Sequence, residues 1–247
     1  MTDRMFLLAG PGWTTADVGD EVEVTGPEGR HAVGVVRIRV GETVLLGGEG
    51  RRADAVVTHT DRDTFTARLL ALTVEPERRP RFVLVQALAK GGRDEQAVET
   101  ATELGVDEVV PWQSSRGVAV WRGADREAKG RQRWEAVASA AAKQSRRARV
   151  PLVGSAAATR EVAARLGSAD LALVLHEDAT TPLAGMPVPD AGEVVLVVGP
   201  EGGITPAELD AFLAAGATTV RLGGEVLRSS SAGPAALAVL SASARWR

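Results

Sequence analysis

The segment Val195-Leu-Val-Val-Gly-Pro-Glu-Gly-Gly-Ile-Thr-Pro-Ala-Glu208 is the part of the chain best suited to hold a ligand. A continuously apolar run enters a glycine-rich loop and leaves into a helix, so a buried strand delivers free backbone to a fixed place. Gly199, Gly202 and Gly203 let N–H and C=O groups approach a flat or polar molecule without Cβ interference, and glycine tolerates positive φ. Thr205 can cap the helix, Pro206 suits its first position, Glu208 completes a capping box and Gly216 supplies the stop. Phosphate binding fits poorly. The loop has neither the G-x-x-x-x-G-K-[ST] spacing with its lysine nor G-x-G-x-x-G, and the acidic Glu201 would repel a phosphate. A tight strand-to-helix turn is the plainer reading, and local physics alone leaves both open.

A second segment, Thr218-Thr-Val-Arg-Leu-Gly-Gly-Glu-Val-Leu-Arg-Ser-Ser-Ser-Ala-Gly-Pro234, repeats the order of strand, glycine-rich loop and helix. Basic residues gather in a third place. Residues 126–149 carry eight basic side chains against two acidic ones, in a chain of formal charge −3. That concentration, ending in Lys143, Arg146, Arg147 and Arg149, reads as a site for an RNA backbone. A solvated helix face with cations near its C-terminus is the alternative. Arg4, Arg37, Arg51 and Arg52 add to the RNA reading. His31 reads equally as a surface turn residue, and His176 as one that orients a loop. Trp112, Trp121 and Trp134 could stack on bases, although buried packing is the commoner use.

These segments need rigid elements around them. At 247 residues two modest domains are a better expectation than one. A hydrophobic fraction of 45% and a charged fraction of 25% suit a folded, soluble chain. The absence of cysteine excludes disulfides, thiolate metal sites and cysteine nucleophiles, and three scattered histidines make a metal site a poor expectation. No apolar run approaches the roughly 20 residues that span a bilayer, and the start MTDRMFLLAGPGW is too short and polar for a secretory signal, so the cytoplasm is the expected compartment.

Short strands broken by Gly and acidic turns (EVEVT, VGVVRIRV, ETVLL, ADAVVTHT, FTARLLALTV) make residues 1–75 a small β-barrel or sandwich. The charged, proline-bearing stretch Glu75–Pro80 marks the boundary. In residues 76–247 apolar strands alternate with helices: FVLVQAL, a helix from Asp94 to Leu104, VDEVVPW, a long helix from about 125 to 147, then LALVLHE and EVVLVVGP. That alternation predicts a parallel sheet covered on both faces, with function at the carboxyl ends of its strands.

The pair GPEGGIT and LGGEVLRSSSAG resembles the two signature stretches of the SPOUT methyltransferases, in particular the 16S ribosomal RNA uracil-N3 methyltransferase family. The resemblance runs almost end to end: Arg4-Met-Phe, His31 with Val36-Arg37, Lys90, Glu103-Leu-Gly-Val106, Ser115-Arg116, Gln144-Ser-Arg-Arg-Ala-Arg-Val-Pro151 and Leu175-His-Glu177 follow in the family's order. It implies a PUA-like, RNA-binding β-barrel followed by a knotted α/β methyltransferase domain, a homodimer, and ribosomal RNA or the small ribosomal subunit as partner. The alanine-rich stretches 136–142 and 235–244 offer small-residue surfaces for that dimer. The resemblance also implies S-adenosylmethionine as cofactor, held by loops containing Leu175, His176, Gly199, Pro200, Glu201, Gly202, Gly203, Leu222, Gly223, Leu227 and Ser229. RNA contacts are expected from Arg4, His31, Arg37, Lys143, Arg146, Arg147 and Arg149. Many relatives have Thr-Glu-Thr after the arginine of the second loop, whereas this chain has Ser229-Ser230-Ser231, so no carboxylate at position 230 can act as a catalytic acid.

The expected reaction is transfer of a methyl group to N3 of a uracil in small-subunit ribosomal RNA. Arg228 is expected to stabilise the uracil anion through charge-assisted hydrogen bonds, and Glu201 or solvent to take the N3 proton. Anchoring the loop or binding phosphate is the alternative use of Arg228. Methylation of a ribose 2′-hydroxyl in ribosomal or transfer RNA is the rival reaction, and a non-catalytic RNA-binding protein is the rival of another class.

Overall fold

The computed structural model describes residues 4–246. They form two compact units, one of the residues to Glu77 together with Ala142–Val150, the other of Arg78–Ala141 and the residues from Pro151 onward.

In the first unit the strands are β1 (Met5–Leu7), β2 (Glu21–Val24), β3 (Thr43–Gly48), β4 (Arg51–Thr60) and β5 (Phe65–Val74). They form a sheet in the order β1-β3-β4-β5-β2. Only β1 with β3 is parallel. Glu49 and Gly50 take φ of 51° and 79°, the left-handed pair that a two-residue hairpin between β3 and β4 demands. Inward-facing residues of alternate positions make the core, in which Phe6 packs edge-on to Phe65 at 5.1 Å between ring centroids. Two short helices, α1 (Pro11–Thr14) and α2 (Gly26–Arg30), complete the unit.

The strand expected at VGVVRIRV is absent. His31–Val36 instead continues α2 as a π-helical turn, closed by Arg37 in the left-handed region at φ 58°. The alternation of valines suggested a pleated strand, but burial does not alternate: Ala32 and Ile38 are buried while Val35 is 71% exposed. β-branched composition is a weak guide where the backbone has no sheet partner.

Residues 142–150 belong to this unit through specific bonds. Gly50 N–H donates to the Ala148 carbonyl at 2.9 Å, Arg149 donates to the Glu75 carbonyl at 3.0 Å, and Lys143 Nζ lies 2.8 Å from Glu28 Oε1. A Cβ on Gly50 would meet the Arg149 guanidinium.

The second unit has six strands, β6 (Arg81–Ala87), β7 (Glu108–Trp112), β8 (Leu152–Val153), β9 (Leu171–Leu175), β10 (Glu193–Val198) and β11 (Thr218–Val220). All pair in parallel, in the order β11-β9-β10-β6-β7-β8. Helices α3 (Arg93–Glu103), α4 (Ala124–Gln144), α5 (Thr159–Gly167), α6 (Pro206–Ala214) and α7 (Ser229–Ala244) connect or follow them. No helix among the described residues is long and apolar enough to cross a membrane. Each central strand feeds two cores: Phe82, Leu84, Leu196 and Val198 pack with Trp134 and Leu237, whereas Val83, Val85, Val195 and Val197 pack with Trp112 and Phe212. Trp112, Trp121 and Trp134 are thereby buried, so base stacking is not their role.

Charges stitch the amino ends of the strands. Arg81 reaches Glu108 and Glu193 at 2.6 Å each, and Arg165 reaches Glu193 at 2.7 Å and Glu108 at 3.0 Å. Arg245 donates to the Gly105 carbonyl at 2.7 Å, to the Pro80 carbonyl and to Asp107, and lies over the Phe82 ring. These bonds hold the end of the sheet remote from its carboxyl edge.

Candidate active site

A cleft of about 780 Å³ opens where β9, β10 and β11 end. Register accounts for its position. Leu173 and Val174 of β9 sit beside Leu196 and Val197 of β10, and Val220 of β11 lies opposite Leu175. The three strands therefore stop level with one another, and the His176 N–H then donates to the Val220 carbonyl at 3.1 Å. Segments 175–178, 198–204 and 220–229 line the cleft together with Arg116 and the start of α6. All eleven residues expected to bind a cofactor line this one cleft: Leu175, His176, Gly199, Pro200, Glu201, Gly202, Gly203, Leu222, Gly223, Leu227 and Ser229.

The loop after β10 needs glycine for two reasons. Gly203 takes φ 75°, where an L side chain is strained. A Cβ on Gly199 would come 2.7 Å from Ile204 Cγ1, and one on Gly202 3.2 Å from Arg116 Cβ. Within the loop the Gly203 N–H donates to the Pro200 carbonyl at 2.9 Å, and Arg116 Nη1 donates to the Gly202 carbonyl at 3.2 Å.

Glu208 does more than complete the capping box. Its Oε2 accepts from the Thr205 N–H at 2.9 Å and hydroxyl at 2.8 Å, and Thr205 Oγ1 accepts in turn from the Glu208 N–H at 3.3 Å. Its Oε1 accepts from the Ser115 N–H at 2.7 Å and the Thr159 hydroxyl at 3.2 Å. One carboxylate thus joins the start of α6 to the segment after β7 and to the start of α5. Burial pushes its pKa up, but the hydrogen bonds from Ser115 and Thr205 outweigh burial and hold it below the ordinary value.

Arg228 is exposed at the N-cap of α7 and faces the cleft. Glu201 is less free than its sequence context suggests. Its Oε1 lies 3.0 Å from Arg93 Nη1 and accepts a hydrogen bond from Ser229 Oγ at 3.5 Å. Partial burial raises the carboxyl, but its own backbone N–H, the Arg93 guanidinium and the Ser229 hydroxyl together lower it below the ordinary value. Ser230 is buried.

The residues expected to meet RNA all belong to the first unit. Arg4, His31 and Arg37 are exposed around the π-helical turn, and Arg4 Nη1 donates to the Val36 carbonyl at 3.4 Å. The four cations of the 143–149 segment are not equivalent. Arg146 is exposed, Lys143 is paired with Glu28, Arg149 is bound to the Glu75 carbonyl, and Arg147 is buried at 5% exposure. Sequence reasoning missed Arg93 and the bracing role of Glu208. Both depend on contacts between segments far apart in the chain, which no local spacing displays.

Residues 76–241 match the family described as RNA methyltransferase domain. The chain belongs to the RNA methyltransferase family. Ribosomal RNA small subunit methyltransferase E of Mycobacterium bovis is 46% identical to it over 239 residues, covering 94% of this chain and 91% of the relative. The Bacillus subtilis protein of the same name is 28% identical over 228 residues, covering 88% of each. The crystal structure of ribosomal RNA small subunit methyltransferase E from Neisseria gonorrhoeae bound to S-adenosyl methionine is similar at a TM-score of 0.86 and 29% identity, covering 98% of each chain. With these relatives alongside, the five-stranded unit is a PUA-like barrel and the six-stranded unit an α/β methyltransferase domain of SPOUT type.

In this RNA methyltransferase Glu208→Gln keeps the side chain's shape and removes its charge. Because the folded-state pKa lies below the ordinary value of 4.5, the carboxylate's stabilisation is complete above that pH and is lost as pH falls through the folded value. The variant is expected to be about 1–3 kcal/mol less stable at pH 7, and the difference in melting temperature from wild type should shrink as the solution is acidified below the ordinary value. Thermal denaturation across pH measures this; a difference that stays constant with pH would contradict the account.

Proposed function

We propose that the protein methylates N3 of a uracil in small-subunit ribosomal RNA, with S-adenosylmethionine as donor. The observation that carries the reading is the convergence of both glycine-rich loops and Arg228 on one cleft. Its volume lies in the range of small-molecule sites, about 300–1,000 Å³, and its wall is apolar at Leu175, Val198, Leu222 and Leu227 with glycine backbone between. Such a surface fits an adenosine-bearing ligand, and side chains at Gly199 or Gly202 would intrude on it or on its supports. When bound, S-adenosylmethionine supplies an electrophilic methyl group that needs little activation.

What remains for the protein is to hold a base and manage one proton. Uracil N3 is largely protonated at neutral pH, and its anion is the better nucleophile. Arg228, exposed at the mouth of the cleft, stabilises that anion by charge-assisted hydrogen bonds. Glu201 or solvent receives the proton. A carboxylate held by Arg93 and Ser229 is a weak base, so solvent is the favoured acceptor. Arg4, Arg37 and Arg146 present positive charge to RNA phosphates, with His31 exposed near Arg4 and Arg37 and with Lys143, Arg147 and Arg149 supporting that surface. The protein works in the cytoplasm.

A homodimer is part of this proposal. Alanines of α7 such as Ala236 are already buried within the chain, whereas Ala136 and Ala140 of α4, one turn apart, remain exposed for a partner. A monomeric mass by light scattering at micromolar concentration would remove the dimer.

Single-turnover methylation of ribosomal RNA, with mass spectrometry of the product nucleoside, tests the reaction itself. N3-methyluridine is expected; a 2′-O-methylated ribose would replace this reading with its rival. Arg228→Ala should slow the saturated single-turnover rate about a hundredfold while cofactor affinity holds, and a wild-type rate and pH profile would take the arginine out of the chemistry. Replacing Arg4, Arg37 and Arg146 together by alanine should weaken RNA binding and flatten its dependence on salt. The exposed positions keep this triple variant folded, so an unchanged salt slope would show that these cations do not meet phosphate.

A further inference from the structure

The loop from Gly199 to Gly203 has one polar side chain, Glu201. Its other side chains cannot tether it, because glycine and proline offer neither charge nor side-chain donor. A glycine-rich loop is also costly to order, since its backbone has most freedom to lose. A partner that grips Glu201 therefore adds a side-chain tether to the Arg116 bond on the Gly202 carbonyl, and the two together set how well this wall of the cleft is formed.

Arg93 is the residue that grips it. Gly91 and Gly92, between β6 and α3, take φ of 69° and 73°, a left-handed pair that reverses the chain and starts α3 at Arg93 beside the carboxyl end of β6. Gln86 of β6 is in register with Val198 of β10, so the glycine-rich loop leaves the sheet next to that reversal. Arg93 Nη1 approaches Glu201 Oε1 to 3.0 Å, and the same oxygen accepts from Ser229 Oγ at 3.5 Å. The Glu201 carboxylate thus connects the first residue of α3, the loop and the first residue of α7. Other charged groups near it are Arg228, preceding Ser229, and Arg116, whose guanidinium binds the Gly202 carbonyl.

We propose that Arg93 is a positioning residue for donor binding, fixing the glycine-rich loop through Glu201 against the first turn of α7. This rests on the assignment of the cleft to S-adenosylmethionine. Arg93 and Glu201 are 49% and 37% exposed at their side chains, and ion pairs so exposed contribute little to global stability. The effect of breaking the pair is therefore local, and falls on the affinity of the loop for its ligand rather than on folding.

The test is calorimetric titration of S-adenosylmethionine into wild type, Arg93→Ala, Arg93→Lys, Glu201→Gln and the Arg93→Ala/Glu201→Gln double variant. Arg93→Ala should bind about tenfold more weakly with an unchanged melting temperature, Arg93→Lys should recover most of the loss, and the double variant should bind no more weakly than the weaker single one. The saturated single-turnover rate of Arg93→Ala should stay near that of wild type, because the arginine acts on the loop and not on the base. Wild-type affinity in Arg93→Ala, or losses that add in the double variant, would overturn the proposal. A wild-type protein that binds no S-adenosylmethionine would instead overturn the assignment of the cleft, and this proposal with it.

Discussion

A parallel sheet buried on both faces leaves its strands one place to meet solvent and ligand, the edge where they end. In the second unit β6 and β10 are covered above and below by apolar layers, and their backbone groups are paired along neighbouring strands. Conformational freedom and unpaired backbone polarity are thereby pushed to the loops at the two ends of the sheet, and here ion pairs of Arg81 and Arg165 occupy the amino end. Register then decides which loops meet. Because Val220 pairs with Leu175 and Val197 with Val174, the loops after β9, β10 and β11 emerge together. A slip of one residue would turn Val197 into the opposite layer and Val198 out of its own, so the forces that bury the strands also fix the cleft.

Burial cannot hold the loops themselves. Glycines bring no side chain to pack, so the walls of the cleft depend on hydrogen bonds made by a few polar groups. Glu208 is the most buried of these. It is 3% exposed, and Ser115, Thr159 and Thr205 all donate to it. Because those donors are neutral, the charge needs no buried cation, and the desolvation of one carboxylate is offset by an ordered shell of dipoles. The Glu201–Arg93 pair is of another kind, half exposed and weaker. The cleft thus has one wall footing that is buried and one that stands half exposed.

Much of this was legible in the sequence. The strand-loop-helix at 195–208 announced itself through an apolar run, glycines and a capping box, and each of those signals is local: Thr205, Pro206 and Gly216 do in the structure what their spacing implies. The alternation of strands and helices made the parallel sheet readable for the same reason. Tertiary pairing was not legible. Arg93 and Glu201 are 108 residues apart and Ser115 and Glu208 are 93 apart, and they meet only because β6 neighbours β10 and because β7 ends near the start of α6. The π-helical turn at His31–Val36 misled for a different reason: its valines carry strand propensity, but the proline of α2 and the left-handed Arg37 commit the backbone to a helical turn.

The count of charges along 126–149 misled in a subtler way. Eight cations against two acids suggests one continuous basic surface, yet the structure divides them by task. Arg147 is buried, Arg149 secures the end of β5 through the Glu75 carbonyl, and Lys143 is neutralised by Glu28. A buried or paired cation adds little to the field outside, and over distances beyond about 8 Å at physiological salt even exposed charges are screened. What a polyanion meets is therefore the local set of exposed groups and not the sum along the chain. Net charge misleads in the opposite sense for the same reason. A protein of formal charge −3 can still carry local positive charge where Arg4, Arg37 and Arg146 stand exposed, because the carboxylates that make the total negative act only on their own neighbourhoods.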